Sequence, residues 1–220
     1  MDISGVLFDV DGTLVDTTFL HTVSWWSAFR QFDYDVPMAV IHRAIGMGAD
    51  QLLDHLLDEQ RDRNEDASIV GAHTAQMATY WPRLRPTPGA ADLLRRCDRR
   101  GLTVALASSA SARELRALRT AIDADDVIDA ATGADDAEAS KPAPDIVVAA
   151  LAKAGIETGA AVFVGDSVWD VYATNALHIP CIGLTCGGTS AAELTDAGAV
   201  EVYQDPATLL AAFDRSRLGA

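Results

Sequence analysis

Lysine is nearly absent from this chain, at 2 of 220 residues against 15 arginines. Acidic residues outnumber basic ones 32 to 17, for a formal net charge of −15. A chain this acidic repels nucleic acid and anionic membrane surfaces at long range, so neither is expected as a partner. A phosphate-bearing substrate has to be captured by local features against that field. Cysteine is also scarce: Cys97, Cys181 and Cys186. An odd number without paired close spacing argues against a disulfide framework or a zinc site and leaves three thiols acting as small hydrophobes. No apolar run reaches the roughly 18 residues needed to span a bilayer. The segment Met1-Asp2-Ile3-Ser4 lacks the basic and apolar regions of a signal peptide, so a cytoplasmic location is expected. No internal repeat or low-complexity tail is present. Asp exceeds Glu 25 to 7, a skew that fits a GC-rich genome or a salt-rich cytoplasm.

What the chain does contain is globular composition, with 49% hydrophobic and 22% charged residues. The length suits one domain, or one domain with an insertion, that folds without disulfides or a structural metal. Short apolar runs stop at turn-forming residues: Gly5-Val6-Leu7-Phe8, Thr103 to Ala107, Ala160 to Val164, Cys181 to Leu184 and, more weakly, Val200 to Tyr203. Such runs read as buried parallel strands. Between them, residues 89–100, 111–121 and 143–154 carry apolar residues at helical spacing. Alternating strands and helices imply an α/β fold with a Rossmann-like, three-layer parallel sheet core.

Residues 16–84 break the alternation and read as helical throughout. Val23, Trp26 and Phe29 are expected on one face of the first helix, and Leu52, Leu53, Leu56 and Leu57 recur further on. This stretch is expected to be an inserted all-helical cap subdomain, with 1–15 and 85–220 forming the core and Pro82, Pro86 and Pro88 marking the return linker.

The residues suited to chemistry fall just beyond the strand ends, where parallel sheets place their active sites. In Asp9-Val10-Asp11-Gly12-Thr13, one carboxylate can attack as a nucleophile while the other transfers a proton. Gly165-Asp166-Ser167-Val168-Trp169-Asp170 adds two further acids. Close like charges repel by a few kcal/mol per pair at an effective dielectric of about 20, so the cluster calls for a cation. Oxygen ligands without His or Cys in the motifs suggest Mg²⁺. Lys141, in Ser140-Lys141-Pro142, can neutralise a phosphoryl oxygen. Ser108 offers a hydroxyl and a strand-end amide to an oxyanion, with Ser109 and Ser111 as alternatives. The aromatic stripe Trp25, Trp26 and Phe29 belongs to the cap core or the substrate pocket, and Trp169 packs near the fourth motif.

Taken together and in this order, the four motifs resemble the haloacid dehalogenase superfamily, in its phosphoglycolate phosphatase and β-phosphoglucomutase-like branch with a helical cap. The resemblance covers nearly the whole chain. It implies a phosphatase acting on a small phosphorylated metabolite, with Asp9 forming an aspartyl-phosphate and Asp11 as general acid and base. Ser108, with Ser109 beside it, and Lys141 hold the phosphoryl oxygens in this scheme. Mg²⁺ is bound by the side chains of Asp9 and Asp166 and the backbone carbonyl of Asp11, supported by Asp170. The second acid, Asp11, favours phosphoryl transfer over dehalogenation. His21, and Gly46, Met47 and Gly48 in Ile45-Gly46-Met47-Gly48-Ala49-Asp50, fall where such proteins read their substrates. That loop has no Lys or Arg to grip a second phosphate, which disfavours a mutase. A monomer or a homodimer is compatible with the sequence.

Overall fold

The computed structural model describes residues 3–219. Strand β1 (Gly5–Phe8) is followed by helices α1 (Thr18–Gln31), α2 (Met38–Ala44), α3 (Ala49–Leu56) and α4 (Asp66–Ala78). Then come α5 (Ala90–Arg99), β2 (Thr103–Ala107), α6 (Ala112–Ile122), β3 (Ala130–Thr132), α7 (Asp145–Ala154), β4 (Ala161–Gly165) and α8 (Val168–Asn175). The chain finishes with β5 (Cys181–Leu184), α9 (Ala191–Ala197), β6 (Glu201–Tyr203) and α10 (Pro206–Ala211). The sheet is six-stranded and fully parallel in the order β3-β2-β1-β4-β5-β6. Phe8, the last residue of β1, lies opposite Leu106 and Val164, so β1 is central and its end faces the crevice where the winding reverses.

Side-chain alternation along the strands builds the three layers. Val6 and Phe8 of β1, Val104 and Leu106 of β2, and Val162 and Val164 of β4 pack with Leu93, Leu118 and Leu209 of α5, α6 and α10. Leu7, Ala105 and Phe163 point the other way, onto Ile146 and Val147 of α7, Val171 of α8 and Leu194 of α9.

Helices α1–α4 gather around their own apolar cluster of Trp25, Ala28, Phe29, Ile41, Leu52, Leu53 and Ile69. The buried face of α1 differs from the expected one. Val23 is exposed, while Thr18, Thr22, Trp25, Ala28 and Phe29 are buried. The stripe at 18, 22, 25 and 29 keeps helical spacing, but it begins with two threonines, so apolar residues alone point to a rotated face. The segments leaving and re-entering the core run side by side: the Asp16 N–H donates to the Arg85 carbonyl at 3.0 Å, and the Thr87 N–H to that of Leu14 at 3.0 Å.

Candidate active site

Asp9 follows β1 directly, its N–H held by the Val164 carbonyl at 2.9 Å. The chain then turns sharply at Gly12, whose φ of +84° favours glycine. The turn is closed by Gly12 N–H on Val15 O at 2.8 Å and Leu14 N–H on Val10 O at 2.9 Å. This reversal points Asp9 and Asp11 into one cavity of about 380 Å³ between the core and the helical insertion.

Their surroundings differ. Asp9 forms an ion pair with Lys141, whose Nζ also lies 2.7 Å from Asp170 Oδ1. Lys141 is 1% exposed, the long side chain being sunk completely among these acids. Burial pushes the Asp9 carboxyl up to about 7, against the pull of Lys141 and with help from Asp170 and Asp11. Burial also raises Asp166 well above the usual range, reinforced by Asp9 and Asp170. Burial disfavours the Lys141 ammonium, but Asp170 and Asp9 outweigh it and the net shift is upward.

Asp11 is turned away from that cluster. Its Oδ1 accepts from Thr17 Oγ1 at 2.7 Å and from His21 Nε2 at 3.1 Å, both at the start of α1. Burial alone would raise Asp11, but the His21 charge and the hydrogen bonds from His21 and Thr17 hold it below the usual carboxylate range. His21 mirrors this: burial works against its charge, the Asp11 bond wins, and its pKa rises. Behind it, His73 of α4 has Nε2 3.1 Å from His21 Nδ1 and stacks on Trp25 with ring centroids 4.0 Å apart. Burial, then His21, pushes His73 well below the normal histidine range. Asp11 thus favours the charged form of His21, while burial favours the neutral form of His73.

Oxygens of Asp9, Asp166 and Asp170 lie within 4.8 Å of one another, all buried. The space beside Asp166 is kept by glycine: a Cβ on Gly12 would come within 2.5 Å of its carboxylate, and one on Gly187 within 1.6 Å. Asp166 accepts from Thr13 Oγ1 at 2.8 Å. Asp170 caps α8 through Ser167 N–H at 3.0 Å and Ser167 Oγ at 2.7 Å. Three buried carboxylates, one ammonium and no bulk beyond glycine suit a hard divalent cation. The Asp11 carboxylate lies outside this cluster, held by Thr17 and His21; the expectation for Asp11 concerned its backbone carbonyl, not this carboxylate.

The serines divide. Ser108 is 1% exposed and does not line the cavity; its amide, expected to serve an oxyanion, instead donates to the Thr132 carbonyl of β3 at 3.3 Å. Ser108 Oγ accepts from the Ala110 N–H at 3.1 Å and so shapes the loop. Ser109 lines the cavity, and its buried Oγ has no partner among the described residues. Ser111 caps α6 through the Glu114 N–H at 3.3 Å.

Gly46, Met47 and Gly48 all line the cavity. The Gly48 N–H donates to Ser140 Oγ at 2.9 Å, next to Lys141. Gly46, at φ +106°, sits against Ser167 and Trp169. On that side Trp169 Nε1 donates to the Arg43 carbonyl at 3.0 Å, and Arg43 pairs with Glu193. Trp169 therefore joins the fourth motif to the insertion. Of the aromatic stripe, Trp25 reaches the cavity wall, while Phe29 is wholly buried in the helical cluster. Sequence reading missed His73 and Glu114; both line the cavity. His73 is 52 positions from His21 and carries no local signal.

Comparison with known proteins agrees with this geometry. The haloacid dehalogenase-like hydrolase profile matches residues 3–178. A hydrolase from Pseudomonas syringae superposes with a TM-score of 0.91 at 30% identity, covering 96% of this chain and 98% of that one. Phosphoglycolate phosphatase of Yersinia pestis is 29% identical over 192 residues, 84% of this chain and 82% of that protein. Protein SUPPRESSOR OF QUENCHING 1, chloroplastic, of Arabidopsis thaliana is 30% identical over 92% of this chain, which spans only 20% of its length. No helix among the described residues is long and apolar enough to cross a membrane. With its profile matching well over half the sequence, and a solved hydrolase sharing nearly the entire fold, the chain belongs to the haloacid dehalogenase-like hydrolases.

Proposed function

We propose that the protein is a cytoplasmic, Mg²⁺-dependent phosphatase of a small phosphorylated metabolite, with residues 16–84 acting as a cap over the site. The observation that carries this reading is the setting of Asp9. It is buried against Lys141, Asp166 and Asp170, and it shares a cavity with an independently held acid–base pair, Asp11 and His21. Asp9 attacks phosphorus, and the bond from phosphorus to the ester oxygen breaks. The leaving oxygen takes a proton from Asp11. That proton rests at first on His21, since the two groups share one proton between them. Water then attacks the phosphoryl group on Asp9, gives its proton back to Asp11 and restores the free carboxylate. Lys141 and Ser109 hold the phosphoryl oxygens, and Ser108 keeps their loop in place.

Asp9, Asp166 and the Asp11 carbonyl would hold Mg²⁺, with Asp170 fixing Lys141 and the start of α8. When bound, the ion supplies positive charge against the phosphoryl oxygens. Uncatalysed phosphomonoester hydrolysis is among the slowest reactions known, with accelerations of up to ~10²¹, so covalent and electrostatic assistance are both required. Lys141 is the only lysine or arginine among the described residues lining the cavity, which argues against a mutase that must grip a second phosphate. The test is phosphate release from p-nitrophenyl phosphate and a panel of phosphometabolites, with Mg²⁺ or EDTA, by wild type and Asp9→Asn. Turnover should need Mg²⁺ and vanish in the variant. Turnover that survives either change would refute the reading.

A further inference from the structure

One buried acid in the cavity takes no part in this chemistry. Glu114 stands three residues after Ser111, the N-cap of α6. Ser-x-x-Glu at a helix start ordinarily forms a reciprocal capping box, the Glu carboxylate reaching back to the cap N–H. The chain forms such boxes elsewhere, at Ser190 with Glu193 and at Ser167 with Asp170. At α6 only half of it exists: Ser111 accepts from the Glu114 N–H, and the Glu114 carboxylate turns into the cavity instead. Glu114 is 8% exposed; the buried indole N–H of Trp81 lies near its carboxylate, but Oε1 makes no hydrogen bond of normal geometry among the described residues. It lines the same cavity as His21 and Asp11, the pair assigned to the leaving group.

A buried acceptor left without a donor is costly, and a ligand that supplies the donor recovers that cost on binding. The rest of the wall points the same way. Asp50 and Glu138 add acidic groups, while Lys141 is taken up by Asp9 and Asp170. A second anionic group on the substrate would meet carboxylates there, while among the described residues the cavity's cations, Lys141 and His21, are already paired with Asp9, Asp170 and Asp11. We infer that Glu114 reads the leaving alcohol: the substrate is a monophosphate ester whose alcohol carries a hydrogen-bond donor, an ammonium or a hydroxyl, and no second anionic group. This inference rests on the phosphatase reading above and narrows its substrate class. It sets the protein apart from what its Yersinia pestis relative is named for, since phosphoglycolate carries a carboxylate.

Binding of four esters by calorimetry tests it, using the Asp9→Asn protein with Mg²⁺ so that no turnover intervenes. Each affinity is referred to that of inorganic phosphate for the same protein, which removes any general loss of folding. Ethanolamine phosphate or glycerol 1-phosphate should bind at least about tenfold more tightly than propyl phosphate, with phosphoglycolate weakest. Adding Glu114→Leu should erase the donor advantage. Adding Glu114→Gln separates the two sources: an ammonium loses its advantage there, whereas a hydroxyl keeps it. Phosphoglycolate binding most tightly, or a donor advantage that is absent or survives Glu114→Leu, would overturn the inference. Failure of wild type to release phosphate from any ester would instead overturn the phosphatase reading, and the binding order would still decide the role of Glu114.

Discussion

Replacing Lys141 by methionine keeps most of the side-chain volume and removes the one ammonium that Asp9 and Asp170 share. All three groups are buried. Deleting one partner of a buried ion pair typically costs about 3–5 kcal/mol, because the charge left behind has lost both water and its counterion. Protonation offers a partial escape. Burial already holds the Asp9 carboxyl at about 7, and without Lys141 it must rise further. An unfolded aspartate titrates near 3.9. Between the unfolded and folded values the native state binds more protons than the unfolded one, so this carboxyl lowers stability as pH rises. The deficit of Lys141→Met relative to wild type should therefore change little between pH 5 and 7, where Asp9 is protonated in both folded proteins, and grow by about 1.4 kcal/mol per pH unit above 7, toward about 3–5 kcal/mol. For a chain of this length that corresponds to a loss of about 6–20 °C in Tm. The assay is thermal unfolding of both proteins in EDTA across that pH range, repeated with Mg²⁺, whose charge should recover part of the loss. Phosphate release should fall by about 10²–10³, the usual cost of removing one group that stabilises the transition-state oxyanion. A deficit below about 1 kcal/mol, or one that does not change with pH, would refute the claim that Lys141 neutralises the buried acids.

Two other perturbations probe the cap side of the site. Gly46→Ala forces a side chain into φ +106° and puts a Cβ within 2.5 Å of Ser167 Oγ. It should cost about 1–3 kcal/mol by thermal unfolding and lower kcat/KM, because the cap loop is pushed off the fourth motif. His73 is held neutral by burial, its pKa well below that of an unfolded histidine. The unfolded chain takes up that proton first, so His73 costs stability as pH falls below about 6.5. In His73→Phe, the decline in stability from pH 7 to pH 5 should be shallower by up to one proton, as read from denaturant midpoints at each pH.

The core was legible because its strands are buried on both faces and read as continuous apolar runs ending in acids, as at Phe8-Asp9 and Val164-Gly165-Asp166. Strand β3 escaped because it is three residues long, Ala130-Ala131-Thr132, at the sheet edge, where little apolar area is needed. Helices α9 and α10 are short, and their start signals lie in capping residues, Ser190 with Glu193 and Asp205 with Thr208. Motif order brought Asp9, Lys141, Asp166 and Asp170 together from positions far apart in the chain. The sequence named both Ser108 and Ser109; which of them reaches the cavity wall was not legible, since adjacent residues after a strand differ only in which way the loop turns. The His21–His73 contact and the turn of the buried Glu114 carboxylate into the cavity depend on how the insertion settles on the core, and no local pattern encodes that.

The central claim is that Asp9 becomes covalently phosphorylated during turnover. Rapid mixing with substrate and Mg²⁺, acid quenching within the first turnover, and mass spectrometry of the peptide spanning Asp9 tests it directly. The account predicts a peptide heavier by one phosphoryl group, with the modification on Asp9, absent from Asp9→Asn and lost on chasing with unlabelled buffer. Phosphate release in the first turnover with no phosphopeptide, or with the group on another residue, would contradict it.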